Sequence, residues 1–118
     1  MIQSADIREW RTRDVVDTGG HKIGTLETIY VDTSTDAPAM ATVQIGLPTR
    51  RHLVFVPLNR AILGPDYVKV DYDRSLVKKS PAIGVDDVLP AEEEAAVFAH
   101  YGLSYQPGAK GERQLARR

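Results

Sequence analysis

The chain has 118 residues, 42% of them hydrophobic and 26% charged, which is the composition of one small folded domain and argues against disorder throughout. With 15 lysines and arginines against 16 aspartates and glutamates the formal net charge is -1, so no overall field draws the chain to nucleic acid or to an anionic membrane. The absence of cysteine excludes disulfides, thiolate nucleophiles and Cys-ligated metals.

The N-terminal segment carries no export signal. Residues 1–9, which we interpret as an extension before the domain, lack the apolar stretch of a signal peptide. No window reaches the roughly 18 consecutive apolar residues that a membrane helix needs. With the cysteine-free composition, this predicts a soluble, cytoplasmic protein without a transmembrane segment.

Short segments with the residue pattern of β-strands follow one another at near-regular spacing. They are residues 15–16, 22–32, 41–45, 52–56 and 68–72, separated by turn-forming residues such as Asp17 to Gly20 and Gly64 to Asp66. Such spacing is typical of a small antiparallel barrel or sandwich, because closure removes the open strand edges. The sequence therefore predicts a mainly β fold, a small antiparallel β-barrel of six or fewer strands.

The segment from His52 to Val56 is apolar on consecutive positions. This pattern predicts that both of its faces are covered, one by the barrel interior and the other by a strap, a helix or a second subunit. We therefore expect self-association, with a dimer favoured. The candidate interface residues are Leu53, Val54, Phe55, Val56, Phe98 and Tyr101.

The C-terminal part changes character after Asp73. The segment up to Leu89 has no sustained periodicity and is interpreted as a strap over the barrel. Pro90 opens a predicted helix at about residues 90–101, in which carboxylates at positions 92–94 suit the N-terminal dipole. The domain is placed at residues 10–105, and residues 106–118 are expected to form a mobile basic tail.

The stretch from Gly19 to Thr25, GGHKIGT, spaces its glycines as a phosphate-binding loop would. A Walker loop needs Lys and then Ser or Thr directly after its last glycine, but here Thr25 follows Gly24 directly. The following residues favour a strand, so no helix dipole is available for an anion. We interpret the stretch as the tight connection between the first two strands, with Gly24 at a bulge or a close backbone contact.

No motif for catalysis or metal binding is present. The three histidines, His21, His52 and His100, lack the spacing of a metal site, and no serine lies in a G-x-S-x-G elbow. The sequence thus predicts no catalytic residue, no cofactor and no metal. An alternative is an enzyme or ligand-binding protein with a site at the barrel mouth or subunit interface, using Asp17, His21 or Tyr30.

The basic residues suggest a second alternative function, that of an RNA-associated or ribosome-associated assembly factor. They are Arg50, Arg51, His52 and Arg60, together with Lys110, Arg113, Arg117 and Arg118 of the tail. Few aromatic residues accompany them, and nucleic-acid binding without stacking residues is not favoured.

The ordered set of motifs resembles the PRC-barrel domain, over about residues 10–105. The similarity is carried by Trp10, Asp14-Val15-Val16-Asp17, Gly20, Lys22-Ile23-Gly24, Ile29-Tyr30-Val31-Asp32, Phe55-Val56-Pro57-Leu58, Asp66-Tyr67-Val68-Lys69-Val70, Ser80-Pro81, Glu92 to Glu94 and His100-Tyr101-Gly102-Leu103. The motifs from Asp66 onward in this list resemble those of stand-alone actinobacterial-type members.

The resemblance implies a small β-barrel of the type found in photosynthetic reaction centre H subunits and in the C-terminal domain of ribosome maturation factors. In H subunits the domain supports electron and proton transfer to quinone from outside the cofactor sites, and in the ribosome factors it helps to dock on a ribosomal protein. We expect neither the transmembrane helix of the former nor the preceding barrel of the latter in this protein. We therefore expect a non-catalytic protein-interaction or scaffold module with an unknown partner.

Overall fold

A computed structural model describes residues 10–33, 35, 37–47, 50–84, 89–103 and 115–117. The described strands are β1 (Asp14–Val16), β2 (Lys22–Asp32), β3 (Pro38–Leu47), β4 (Arg50–Pro57), β5 (Ile62–Leu63), β6 (Tyr67–Lys69), β7 (Ala82–Gly84) and β8 (Leu115–Arg117). The described helices are α1 (Arg74–Lys78) and α2 (Glu94–His100), and a 3-10 turn (Ala91–Glu93) precedes α2.

The strands form one mixed sheet in the order β5-β6-β1-β2-β3-β4-β7, and β8 pairs with β2. The predicted mainly β fold is therefore confirmed. The predictions of an all-antiparallel sheet and of six or fewer strands are wrong, because the described residues alone form eight strands and β1 pairs with β6 in parallel. The long chain segment between these two strands provides the crossover that a parallel pair requires. Among the described strands, the ends β5 and β7 do not pair, so the sheet is not closed.

Strand β4, next to the β7 end of the sheet, lies between two apolar clusters, because its side chains alternate between the two faces of the sheet. Val54 and Val56 belong to the first cluster, with Leu26, Val43 and Val15 of neighbouring strands. We call the side that carries them the first face. Phe55 points the other way, into a second cluster that contains side chains of β2, β3, α2 and β8. We call that side the second face.

The C-terminal segments cover the second face. Val97 and Phe98 of α2, Leu89 before it and Leu115 of β8 pack on Tyr30, Met40 and Phe55. The predicted helix at about 90–101 thus corresponds to the 3-10 turn and α2.

Two C-terminal segments differ from their sequence predictions. The segment interpreted as a strap contains α1 and β7, and β7 pairs with β4. Residues 115–117 of the predicted mobile tail form β8, since Leu115 is fully buried and its backbone N–H donates to Glu94 Oε1 at 3.4 Å. Residues 106–114 and 118 of the tail, like the N-terminal extension 1–9, lie outside the described residues.

Candidate functional site

The six predicted interface residues lie in the interior of the chain. Exposure is at most 8% for all of them, namely Leu53, Val54, Phe55, Val56, Phe98 and Tyr101. Both faces of β4 are covered, as its apolar run predicts, and the cover on the second face comes from the chain's own helix and C-terminal strand. These side chains are therefore not part of the surface that a second molecule could contact.

The second face continues beyond its covered half. Arg51 lies four residues before Phe55 on β4 and so projects from the same face. Between it and β2 the structure has an open cavity of about 300 Å³. The residues that line it are Lys22, Ile23, Gly24, Thr25, Gln44, Ile45, Gly46 and Arg51. We call this the cationic cavity.

Positive charge dominates the cationic cavity. Lys22 forms an ion pair with Asp14 at 3.2 Å, and both side chains are more than half exposed to solvent. Arg51 is exposed and has no ion-pair partner in the described part of the chain. Lys69 of β6 lies beside Val16 on the second face, because its neighbour Val68 points into the first cluster. Three cations thus face one carboxylate here, an arrangement suited to a negatively charged partner.

An apolar edge adjoins these cations. β5 is the end strand of the sheet, and it pairs only with β6 among the described strands. Its two side chains are exposed, Ile62 by 57% and Leu63 by 37%. Ile62 is opposite Lys69, so it belongs to the second face. An exposed apolar edge strand is a ready template for another chain.

The glycine-rich stretch forms the turn of the β1–β2 hairpin. Asp17 organises it by accepting hydrogen bonds through Oδ1 from the backbone N–H groups of Gly19 (2.9 Å) and His21 (2.8 Å). Through Oδ2 it also accepts from the backbone N–H of Arg74 at the start of α1, at 3.2 Å. Gly20 has a φ of 85°, which a glycine adopts without strain. The interpretation of this stretch as a strand connection is therefore confirmed.

The residues proposed for an enzymatic site do not converge. Asp17 and His21 are neighbours, with 3.3 Å between Oδ1 and Nδ1, but both belong to the hairpin turn. Tyr30 lies nine residues further along β2, roughly 30 Å away for an extended strand. Tyr30 is buried, and its hydroxyl accepts a hydrogen bond from the backbone N–H of Leu89 at 3.4 Å.

Hydrogen bonds control the ionisation of Asp17. Burial alone would raise its pKa, but the N–H groups of His21, Arg74 and Gly19, with the His21 ring, stabilise the carboxylate and lower the pKa below its usual 3.8. The folded protein therefore holds this proton less tightly than the unfolded chain does. The stability that Asp17 contributes is present above about pH 4 and is lost as the pH falls through the folded-state pKa.

Asp17→Ala is expected to lower the free energy of unfolding at pH 7 by about 1–3 kcal/mol, because three backbone donors lose a charged acceptor. Urea unfolding of wild type and variant measures this loss. The difference between the two proteins should shrink when the experiment is repeated at pH 3, because the stability contributed by the ionised carboxylate declines below the unfolded-state pKa of about 3.9.

The matched control is Asp14→Ala, which removes a carboxylate with a 52% exposed side chain from the preceding strand. Its ion pair with Lys22 is solvated, so the expected loss is below about 1 kcal/mol. A difference between wild type and Asp17→Ala that stays the same at both pH values would contradict the assignment.

The basic residues of the RNA-binding alternative do not form one patch, and the histidines do not form a metal site in the described part of the chain. Arg51 is the second residue of the eight-residue strand β4, whereas Arg60 follows the other end of that strand, roughly 20 Å away. Arg60 forms an ion pair with Asp71 at 3.8 Å. His100 Nε2 lies 2.6 Å from the backbone oxygen of Leu76. In the described ranges no group of three or more His, Cys, Asp or Glu residues could hold a metal.

Tyr101 is the other group with a perturbed ionisation. Its hydroxyl donates to the backbone oxygen of Phe55, and its ring meets those of Tyr72 and His100 edge to face at 4.9 Å. Burial strongly raises the pKa of its hydroxyl. A phenol that holds its proton so firmly serves as a hydrogen-bond donor between α2 and β4.

Sequence reasoning missed the cationic cavity and the β5 edge. The cavity joins residues of β2, β3 and β4 whose proximity depends on strand register. β5 has only two residues, too few for a periodic pattern. The one available signal was the pair of apolar residues Ile62-Leu63 directly before the Gly64-Pro65 turn.

Comparisons with known proteins agree with the motifs. A family model described as PRC-barrel domain matches residues 3–77, which is more than half of the chain and contains β1 to β6 and the whole cationic cavity. The motifs from Ser80 to Leu103 lie beyond the matched residues. The curated proteins contain no match to this chain. In the described part of the chain, no helix has the length and apolar character needed to cross a membrane. Because this family model matches more than half of the chain, the chain belongs to the PRC-barrel domain family.

Proposed function

We propose that the chain is a non-catalytic protein-interaction or scaffold module that self-associates through the second face of its sheet. The observation that carries this proposal is the β5 edge, where Ile62 is 57% exposed and next to Lys69, on a strand whose outer edge no other described strand pairs with. Burying this side chain on another molecule would gain hydrophobic free energy, and the open backbone edge would gain hydrogen bonds.

The composition of the cationic cavity supports a binding role over a catalytic one. The described residues of its lining offer two cations, a hydroxyl, an amide and backbone groups, but neither a carboxylate nor an imidazole that could act as a general base. Asp17 and His21, which could form such a pair, are engaged in the hairpin turn.

A closed barrel and a cytoplasmic location belong to the same proposal. Family membership supports the barrel. Closure would require the two ends of the described sheet, β5 and β7, to approach each other. The location stays a prediction from the cysteine-free composition.

Light scattering over a range of concentrations tests the proposal. We expect wild type to shift from monomer to dimer, and Ile62→Thr to raise the dissociation constant roughly tenfold, because it removes exposed apolar surface while keeping a β-branched side chain. Leu76→Thr is the control, since Leu76 is also exposed but lies on α1.

The control variant should associate like wild type. A wild-type protein that stays strictly monomeric at the highest attainable concentration would refute self-association. Equal weakening by the two variants would remove the β5 edge from the interface.

A further inference from the structure

Two exposed carboxylates lie at the other end of the second face. Glu92 and Glu93 belong to the 3-10 turn that leads into α2, and we call them the acidic turn. Both are exposed, and neither has an ion-pair partner among the described residues. The helix that follows lies on the covered half of the second face, where Val97 and Phe98 pack on Phe55.

The second face therefore carries opposite charges on its two halves. The acidic turn borders the covered half, and the cationic cavity, with Arg51 unpaired, occupies the open half. The formal net charge of the whole chain is only -1, so this separation is local. The two groups form no ion pair within one chain.

A two-fold axis parallel to the second face, running between its covered and open halves, would bring these charges together. It would place the acidic turn of each copy over the cationic cavity of the other, so that both contacts form twice. At about 300 Å³ the cavity is large enough for the side chains of a turn. Complementary charges of this kind set the register of an interface and speed its formation.

We infer that the cationic cavity is the docking site for the acidic turn of a second copy of this chain. The inference rests on the proposed self-association and specifies its contacts: Glu92 and Glu93 of one copy meet Arg51 and Lys22 of the other. Burial of Ile62 in the same interface contributes hydrophobic affinity, while the charges determine the relative orientation of the two copies.

Charge reversal in two separate variants tests this docking. Arg51→Glu makes the cavity side negative, and Glu92→Lys/Glu93→Lys makes the turn positive. In each variant alone, both contacts of the dimer become repulsive. We expect the dissociation constant of each to rise roughly tenfold at low salt in analytical ultracentrifugation.

Mixing the two variants is the decisive measurement. In the mixed dimer the negative cavity meets the positive turn and the remaining native cavity meets the native turn, so both contacts are attractive again. We expect the mixture to associate about as tightly as wild type, and the recovery to weaken at high salt. Lys79→Glu, a charge reversal at an exposed position after α1, serves as the control and should associate normally.

The outcomes separate this inference from the proposed function. Two variants that associate like wild type, or a mixture that stays as weak as its components, would overturn the docking while leaving self-association in place. A wild-type protein that does not associate would overturn both. Circular dichroism of each variant establishes that any loss of association occurs in folded protein.

Discussion

Phe55→Ala is expected to lower the free energy of unfolding by about 3–5 kcal/mol, since a fully buried aromatic ring leaves a cavity that its surroundings fill only in part. The ring centroids of Phe55 and Tyr30 lie 5.6 Å apart at 62°, an edge-to-face contact that is lost as well. Guanidinium unfolding followed by circular dichroism measures the change.

The same variant separates a core position from an interface position. If Phe55 lay between two subunits, the loss of stability would depend on protein concentration, because the folded state would be coupled to dimerisation. The second cluster places it inside one chain, between β2, α2 and β8. The unfolding midpoint of the variant should therefore shift by the same amount at low and high concentration.

Two further variants keep this prediction testable if Phe55→Ala fails to fold. Phe55→Leu retains most of the volume and is expected to cost less than about 1.5 kcal/mol. Ile62→Ala, at an exposed position, should change stability by no more than about 0.5 kcal/mol. A loss of stability in Phe55→Ala or Phe55→Leu that changes with protein concentration would contradict the core assignment.

The strands were predictable where local patterns are sufficient. Long alternating or apolar runs identified β2, β3 and β4, and the glycines between residues 17 and 24 identified the first hairpin. These signals depend only on neighbouring residues, which is why they do not require knowledge of the fold.

The remaining elements depend on contacts between distant residues. β5 and β7 have two and three residues, too short to show a period. Leu115 is the one large apolar residue in a basic tail, and its place beside Glu94 and β2 explains its burial. The parallel pairing of β1 with β6 likewise requires the register of both strands.

The candidate site shows the same division. The apolar run of β4 correctly predicted two covered faces, but a run of residues does not specify whether the cover is the same chain or another one. Lys22 and Arg51 were visible only as isolated basic residues, and their common cavity follows from the pairing of β2, β3 and β4. The sequence thus predicted an interaction module without locating its surface.

Gly24→Ala is expected to lower the free energy of unfolding by about 1–3 kcal/mol or more, even though it adds only one methyl group. The new Cβ would overlap with the backbone oxygen of Gln44 and come within 2.8 Å of Val43 Cγ1 and 2.9 Å of Ile45 Cγ2. A carbonyl held in the β2–β3 ladder cannot move without breaking the pairing of Thr25 with Gln44. Chemical unfolding of the variant measures the cost.

Gly20→Asn is the matched control in the same hairpin. Its φ of 85° suits asparagine better than other non-glycine residues, and no atom lies within 4 Å of the added Cβ. The expected cost is below about 1 kcal/mol. The two glycines therefore differ in kind, since Gly20 is required for its backbone angle and Gly24 for the close approach of β3. If both variants lost the same stability, backbone conformation alone would account for the glycines, and β2 and β3 would not approach as closely at Gly24 as the structure shows.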